Sequence, residues 1–119
     1  MFAIRHPVET VLTLTDSAVD GMRPAEAVDL VTLQLSHARR LLASCGRRVL
    51  VVRLEELVTE PEIVLQGLAE AMGLPFEAGW ATTAATMLPS DIRLAPAWNH
   101  DHVRMHRREL SDLANAWGY

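Results

Sequence analysis

Apolar residues recur at helical spacing directly after the first few residues of the chain. The first predicted helix begins at Pro7, because proline's fixed φ suits the first turn and its missing N–H would be unpaired there anyway. Gly21 can supply the end of this helix. Its apolar stripe consists of Val8, Val11, Leu12, Thr15 and Val19. The pattern predicts a strand, a sharp turn and then a helix.

A second, longer stripe predicts a helix from about Pro24 into the region of Ala43, with Gly46 as a plausible cap. Glu26, Gln34 and other polar residues lie off this stripe. The stripe itself consists of Val28, Val31, Leu35, Ala38, Leu42 and Cys45.

Two apolar runs flank these helices. Met1–Ile4 is too short for periodicity to decide, and the turn and helix that follow favour a strand. The segment 48–53 is β-branched without alternation, which is typical of a strand covered on both faces in a parallel sheet. A strand, a long helical crossover and another strand make a βαβ-type unit, almost always right-handed.

The second half of the chain predicts further helices. Thr59, Glu60, Pro61 and Glu62 form a capping box that starts a helix ending at Gly73. The buried face of that helix consists of Val64, Leu65, Leu68 and Met72. The stretch 80–99 predicts a loop with one short helix, and 101–116 predicts a last helix.

Length and composition limit the classes of protein. The 119 residues suit a single domain over 1–119, and 50% apolar with 22% charged residues argues against disorder. A net charge of −4 provides no broad basic surface, so we predict no nucleic-acid partner and no membrane partner. No signal peptide or spanning segment is visible, which predicts a cytoplasmic protein. All 11 cationic residues are arginine.

The segment from Arg5 to Thr13 carries the strongest chemical signal. Arg5 at the end of a strand, followed at once by a helix start, places a cation beside free main-chain N–H groups, as in a phosphate site. The Thr13 hydroxyl, two turns into the helix, can reach the same anion along the helix flank. Alternatively, Arg5 pairs with Glu9 and Thr13 is ordinary helix surface. The residue types leave both interpretations open.

The spacing Arg-x-Pro-x-acid-x-x-x-Ser/Thr in this segment resembles the 3′-phosphate-binding segment of sulfotransferases that use 3′-phosphoadenosine 5′-phosphosulfate (PAPS). Later segments are similar to that family in the same order, and nearly the whole chain is covered. They are the strand and turn 49–57, Thr59-Glu60-Pro61, Gly73-Leu74-Pro75-Phe76 and Trp117-Gly118-Tyr119.

The resemblance implies a helix-rich α/β fold with a partial parallel sheet of the P-loop nucleotide-hydrolase-like kind. It also implies that Arg5 and Thr13 hold the 3′-phosphate of PAPS or of its product, 3′,5′-adenosine bisphosphate. Arg93, followed by Trp98, stands in for the family's late phosphate loop, at short spacing and without its glycine. Leu54 occupies the place of an adenine-contacting tyrosine in many members.

The family's 5′-phosphosulfate loop, rich in Gly, Ser and Thr, has no counterpart in this sequence, and neither has the segment that carries the general base. The chain therefore resembles the C-terminal half of a sulfotransferase, and we expect a truncated chain that is not competent alone. Complete relatives transfer a sulfuryl group from PAPS to a hydroxyl or amine of a small-molecule acceptor. The alternative is a non-catalytic helical interaction module derived from that fold.

Two strands are too few for a parallel sheet whose faces and edges are all covered. Residues such as Val49, Val51 and Val52 would lack neighbours. Either a partner chain or a second copy of this chain covers the sheet edge, or the chain is a truncated product of low stability.

Histidines near the C-terminus offer a metal site as a rival interpretation. His102 and His106 are four residues apart, which places two imidazoles on one helix face, and His100 and Asp101 lie beside them. No third ligand is evident apart from His100, and His106 also suits a packing role. We therefore predict no metal site.

Other titratable residues have structural interpretations. His6 is predicted to be a spacer beside the phosphate site. Glu55 and Glu56 follow a strand, where such a pair usually holds the turn or pairs with Arg53. Cys45 is predicted to be a buried helix residue without nucleophilic character. We assign no catalytic residue.

Overall fold

The computed structural model describes residues 2–16, 21–45, 49–88 and 92–119, and it is a helix-rich α/β structure with a small parallel sheet. Among these residues, no helix is both long and apolar enough to cross a bilayer. The elements in chain order are β1 (Phe2–Ile4), α1 (Pro7–Thr15), α2 (Pro24–Cys45), β2 (Val51–Arg53), α3 (Leu54–Thr59), α4 (Pro61–Met72), α5 (Gly79–Met87), α6 (Asp101–Arg104) and α7 (Arg107–Ala116).

The chain divides into two compact units, and the prediction of one domain over 1–119 stays a prediction. The first unit comprises Met1–Ile4 and Val49–Leu94. In it β1 and β2 pair in parallel, with Ala3 opposite Val52 in the register. Its helices α3, α4 and α5 follow β2. The unit contains an apolar cavity of about 280 Å³, lined by Ala3, Val52, Leu57, Leu65, Leu68, Ala69, Met72 and Trp80.

The second unit comprises Arg5–Arg48 and Ala95–Tyr119, and α1 is its central element. Helix α1 contacts α2, α6 and α7. The stripes predicted for α1 and α2 provide most of the buried side chains: Val8, Val11, Leu12, Val28, Val31, Leu35 and Ala38. From the C-terminal segment, Val103, Leu110 and Ala114 join them. Burial of these apolar side chains stabilises the unit and fixes the orientation of α1.

The predicted starts of α1 and α2 are confirmed, and one predicted end is wrong. Helix α1 stops at Thr15, and the N–H of Asp16 donates to the carbonyl oxygen of Leu12 at the C-cap, so Gly21 does not end it. The predicted stripe position Val19 and the predicted cap Gly46 lie outside the described residues. Cys45, predicted to be buried, is exposed.

The strand β2 is shorter and less covered than the β-branched run predicts. It spans Val51–Arg53, and Arg48 lies outside the described residues. The exposed fraction is 46% for Val51 but 7% for Val52. Coverage of both faces is therefore a wrong prediction for Val51, because the sheet that the structure describes has two strands.

The capping box is also a wrong prediction, although the helix that it was expected to start is present as α4. Thr59 is the last residue of α3, and its hydroxyl donates to the carbonyl oxygen of Glu55 at 2.9 Å. Glu60 takes the N-cap position of α4, and Pro61 occupies the first turn. The sequence analysis missed α3 because six residues are too few to show a helical period.

Two further predictions concern the C-terminal third. The short helix expected within 80–99 is confirmed as α5, whereas the single helix expected over 101–116 is divided into α6 and α7. The division falls at Met105 and His106, where the N–H of His106 donates to the carbonyl oxygen of Val103 in a tighter turn.

Alanine substitutions at two glycines, one inside α4 and one at its C-terminal end, should change the free energy of unfolding in opposite directions. Gly73 ends the helix at φ 68°, whereas Gly67 lies inside it, and a Cβ at either position would meet nothing within 4 Å. We expect Gly73→Ala to lower the free energy of unfolding by about 1 kcal/mol, because the left-handed conformation disfavours a Cβ. Gly67→Ala should raise it by about 0.5–1 kcal/mol. Urea denaturation measures both, and effects of equal sign would contradict the assigned helix end.

Candidate functional site

Arg5 and Thr13 lie side by side on the flank of α1. Nη1 of Arg5 donates to Oγ1 of Thr13 at 3.0 Å. Arg5 precedes α1 by two residues, and its side chain reaches along the flank of the helix to Thr13. The structure therefore brings together the two residues for which the sequence predicts a shared anion.

Glu9 lies between them, four residues from each in sequence. Its Oε2 is 3.8 Å from Nη2 of Arg5, which is within ion-pair range but too long for a hydrogen bond. The exposed fraction of the side chain is 3% for Glu9 and 25% for Arg5. The contact foreseen by the alternative interpretation thus exists, but it leaves the guanidinium partly open to solvent.

A long-range hydrogen bond anchors the Glu9 carboxylate. The main-chain N–H of Ala97 donates to Oε1 of Glu9 at 3.0 Å, and this bond fixes the segment before α6 against α1. The carboxylate consequently keeps its place, and Arg5 gains an oriented counter-charge.

The Arg5 guanidinium retains an unused donor. Its Nε is shielded from solvent and has no hydrogen-bond partner among the residues that the structure describes. Shielded donors without an acceptor are uncommon in folded proteins. An oxygen acceptor from a ligand would satisfy this group, and an anion would match the charge.

The Thr13 hydroxyl is engaged on both sides. It accepts from Arg5 and donates to the carbonyl oxygen of Glu9 at 2.9 Å. Because a hydroxyl has a single proton, donation to an anion requires rotation away from that carbonyl oxygen. Rotation is accessible because the Thr13 side chain is exposed.

The start of α1 differs from the predicted anion site. Nδ1 of His6 accepts the N–H of Val8 at 3.2 Å, and Pro7 has no N–H to offer. The prediction of free main-chain N–H groups at this helix start is therefore wrong for the first two positions. An anion beside Arg5 would lie along the helix flank, not at its tip.

His6 is a buried helix cap and not the spacer that the sequence predicts. Its ring contacts Trp98 and Tyr119 edge-on, with centroid distances of 5.6 Å and 4.7 Å. The guanidinium of Arg107 lies 5.7 Å from the Trp98 ring centroid. No sequence signal marks this role, because helix caps are usually Ser, Thr, Asp or Asn.

The remaining predicted nucleotide residues belong to the other compact unit. Arg93 is exposed, and Leu54 is the half-buried first residue of α3. Their predicted roles stay predictions.

Glu55 and Glu56, the acidic pair after β2, were predicted to hold the turn or to pair with Arg53, and Glu56 makes that ion pair. Nη1 of Arg53 donates to Oε1 of Glu56 at 2.9 Å. Both glutamates lie in the first turn of α3, where negative charge is favourable.

The histidines of the predicted cluster do not lie together on one helix face. His106 lies outside α6, and its Nδ1 is 3.1 Å from Oε2 of Glu109, so His102 and His106 do not share a helix face. Nδ1 of His100 accepts the N–H of His102 at 3.2 Å and thereby caps α6.

Comparisons with protein-family models, curated proteins and solved structures found no match for this sequence.

Proposed function

We propose that the chain binds the 3′-phosphate of PAPS or of 3′,5′-adenosine bisphosphate, as the resembled sulfotransferases do. The observation that carries the proposal is the pairing of Arg5 with Thr13 at 3.0 Å beside a shielded Arg5 Nε that has no partner. A phosphate offers several acceptor oxygens and the opposite charge, which is what the guanidinium requires.

The Arg5 guanidinium provides most of the binding energy in this proposal. Nε and one Nη of a guanidinium form a planar fork that matches two phosphate oxygens. Because the Arg5 Nε is shielded from solvent, the partly exposed side chain turns to offer this fork to the phosphate. Glu9 repels the phosphate but holds the guanidinium in position through its own bond to Ala97. The Thr13 hydroxyl rotates from the Glu9 carbonyl oxygen to the phosphate and adds one charge-assisted hydrogen bond.

Nucleotide binding and sulfuryl transfer make different demands on the chain. In the resembled family, transfer is an in-line attack of the acceptor on the sulfuryl group, stabilised by cations and main-chain amides. The 119 residues contain no Gly-Ser/Thr-rich loop and no lysine for the 5′-phosphosulfate. The proposal therefore assigns nucleotide binding to these residues, and transfer needs a loop that they do not supply.

Calorimetric titration tests the proposal without any variant. We expect 3′,5′-adenosine bisphosphate to bind about a hundredfold more tightly than 5′-AMP, because only the former carries the 3′-phosphate. Equal heats for the two nucleotides, or no heat for either, would remove 3′-phosphate binding from the account.

A pair of threonine variants tests the role of the hydroxyl. We expect Thr13→Val to weaken binding of 3′,5′-adenosine bisphosphate by about tenfold, since one hydrogen bond to a charged group is lost. Thr15→Val is the matched control, because its hydroxyl donates to the carbonyl oxygen of Leu12 on the same helix. Calorimetry should find its affinity unchanged, and equal losses in both variants would contradict a specific role for Thr13.

A second candidate function is the non-catalytic interaction module. The exposed position of Val51 in a sheet of two described strands favours it, because an apolar sheet residue usually packs against a neighbour. Such a module would associate with another chain and show no heat with either nucleotide. Sedimentation of the protein across a range of concentrations, beside the nucleotide titration, separates the two candidates.

A further inference from the structure

Three metal-ligating side chains converge at the end of α1 that lies away from the Arg5 site. Asp16 follows the last residue of α1, and His100 and His102 lie at the start of α6. One ligand atom from each of the three side chains lies within 4.8 Å of the other two. Residues from distant parts of the sequence thus present two imidazoles and a carboxylate to one point.

His102 has an unused ring nitrogen at this point. Its Nδ1 is shielded from solvent and makes no hydrogen bond within the described part of the chain. Oδ1 of Asp16 is 4.0 Å from this nitrogen. The rings of His100 and His102 lie 4.8 Å apart between centroids. A cation between these groups would occupy the lone pair of that nitrogen and satisfy the carboxylate.

We propose that Asp16, His100 and His102 bind a divalent transition-metal ion of the Zn²⁺ class. Two imidazoles favour Zn²⁺, Ni²⁺ or Cu²⁺ over Mg²⁺ or Ca²⁺, which prefer oxygen ligands. Three protein ligands leave a tetrahedral ion one position for water or another ligand. This metal site does not involve Arg5, Glu9 or Thr13, and it does not require the proposed nucleotide.

The ligand atoms must move closer together when the ion binds. Bond lengths of about 2.0–2.1 Å place neighbouring ligands of a tetrahedral Zn²⁺ about 3.3 Å apart. The side chains can make this adjustment, because Asp16 and His102 are 52% and 40% exposed.

Metal binding removes the side-chain cap of α6. In the structure, Nδ1 of His100 accepts the N–H of His102. A ring that binds metal through Nε2 carries its proton on Nδ1, and a ring that binds through Nδ1 has used its lone pair. In either case the N–H of His102 loses its acceptor, and its amide hydrogen should exchange faster with solvent in the metal-bound protein.

The test is a calorimetric titration of the untagged chain with Zn²⁺. We expect one ion per chain, with affinity reduced by more than about tenfold in Asp16→Asn and in His102→Gln. The matched controls are Asp101→Asn, whose carboxylate contacts Arg104, and His106→Gln, which is paired with Glu109. Both controls, and Cys45→Ser for the exposed thiol, should keep wild-type affinity.

Spectra of the wild type make the proposal falsifiable even where a variant does not fold. Addition of Zn²⁺ should shift the ring ¹⁵N resonances of His100 and His102 and leave those of His37 and His106 in place. No saturable heat, equal affinity in all variants, or shifts confined to other histidines would overturn the site.

Discussion

Replacing Arg5 by alanine should weaken binding of 3′,5′-adenosine bisphosphate by about a hundredfold, the largest functional effect that we expect. The substitution removes the planar fork that would hold two phosphate oxygens, and each such charge-assisted bond contributes about 1.5–3 kcal/mol. The helix itself should persist, because α1 is held by the buried Val8, Val11 and Leu12. Calorimetry measures the affinity, and circular dichroism verifies the fold.

Two further arginine variants distinguish a specific contact from general charge. Arg39→Ala removes an exposed arginine of α2 in the same compact unit and should leave the affinity within about twofold. Arg5→Lys keeps the charge but loses the fork, so its affinity should fall between those of wild type and Arg5→Ala. A similar loss for Arg39→Ala and Arg5→Ala would show that the nucleotide responds only to net charge.

The second large effect is expected at Glu9, where two substitutions should act in different ways. Glu9→Ala leaves the N–H of Ala97 without its acceptor and should lower the free energy of unfolding by about 2 kcal/mol. Glu9→Gln keeps an oxygen for that N–H and should cost less than about 1 kcal/mol. Because the amide carries no charge to repel a phosphate, Glu9→Gln should also bind 3′,5′-adenosine bisphosphate more tightly than wild type.

Urea denaturation and calorimetry on the same samples test both halves of this prediction. Glu109→Gln removes an exposed carboxylate from the same compact unit and should change neither quantity appreciably. If Glu9→Gln weakened nucleotide binding as much as Arg5→Ala does, the three side chains would form a purely structural network instead of an anion site.

The sequence predicts the start and the buried face of α1, although it misses the His6 cap at that start. Pro7 announces the start of α1, and the apolar stripe from Val8 fixes which face of the helix is buried. With that face and the start of α1 determined, Arg5 lies just before the helix, and its side chain can reach Thr13 along the flank. These features follow from residues that are close in sequence, so periodicity captures them.

The sequence pattern does not predict contacts between segments that are distant along the chain. The acceptor of the Ala97 N–H is the Glu9 carboxylate, 88 residues away, and neither residue type indicates the other. The same holds for Asp16, which the helix end places beside His100 and His102, whereas helical spacing favoured His106. The break at Met105 redirects His106 toward Glu109. Tertiary packing determines the positions of these side chains, and a local hydrophobic period does not predict tertiary packing.

The most direct test of the central claim combines one change in the ligand with one change in the protein. Affinities for 3′,5′-adenosine bisphosphate and for 5′-AMP are measured by calorimetry with wild type and with Arg5→Ala. If Arg5 holds the 3′-phosphate, the roughly hundredfold preference of wild type for the bisphosphate should all but disappear in Arg5→Ala, because the loss expected for that variant is of the same size. A preference of unchanged size in Arg5→Ala would contradict the account.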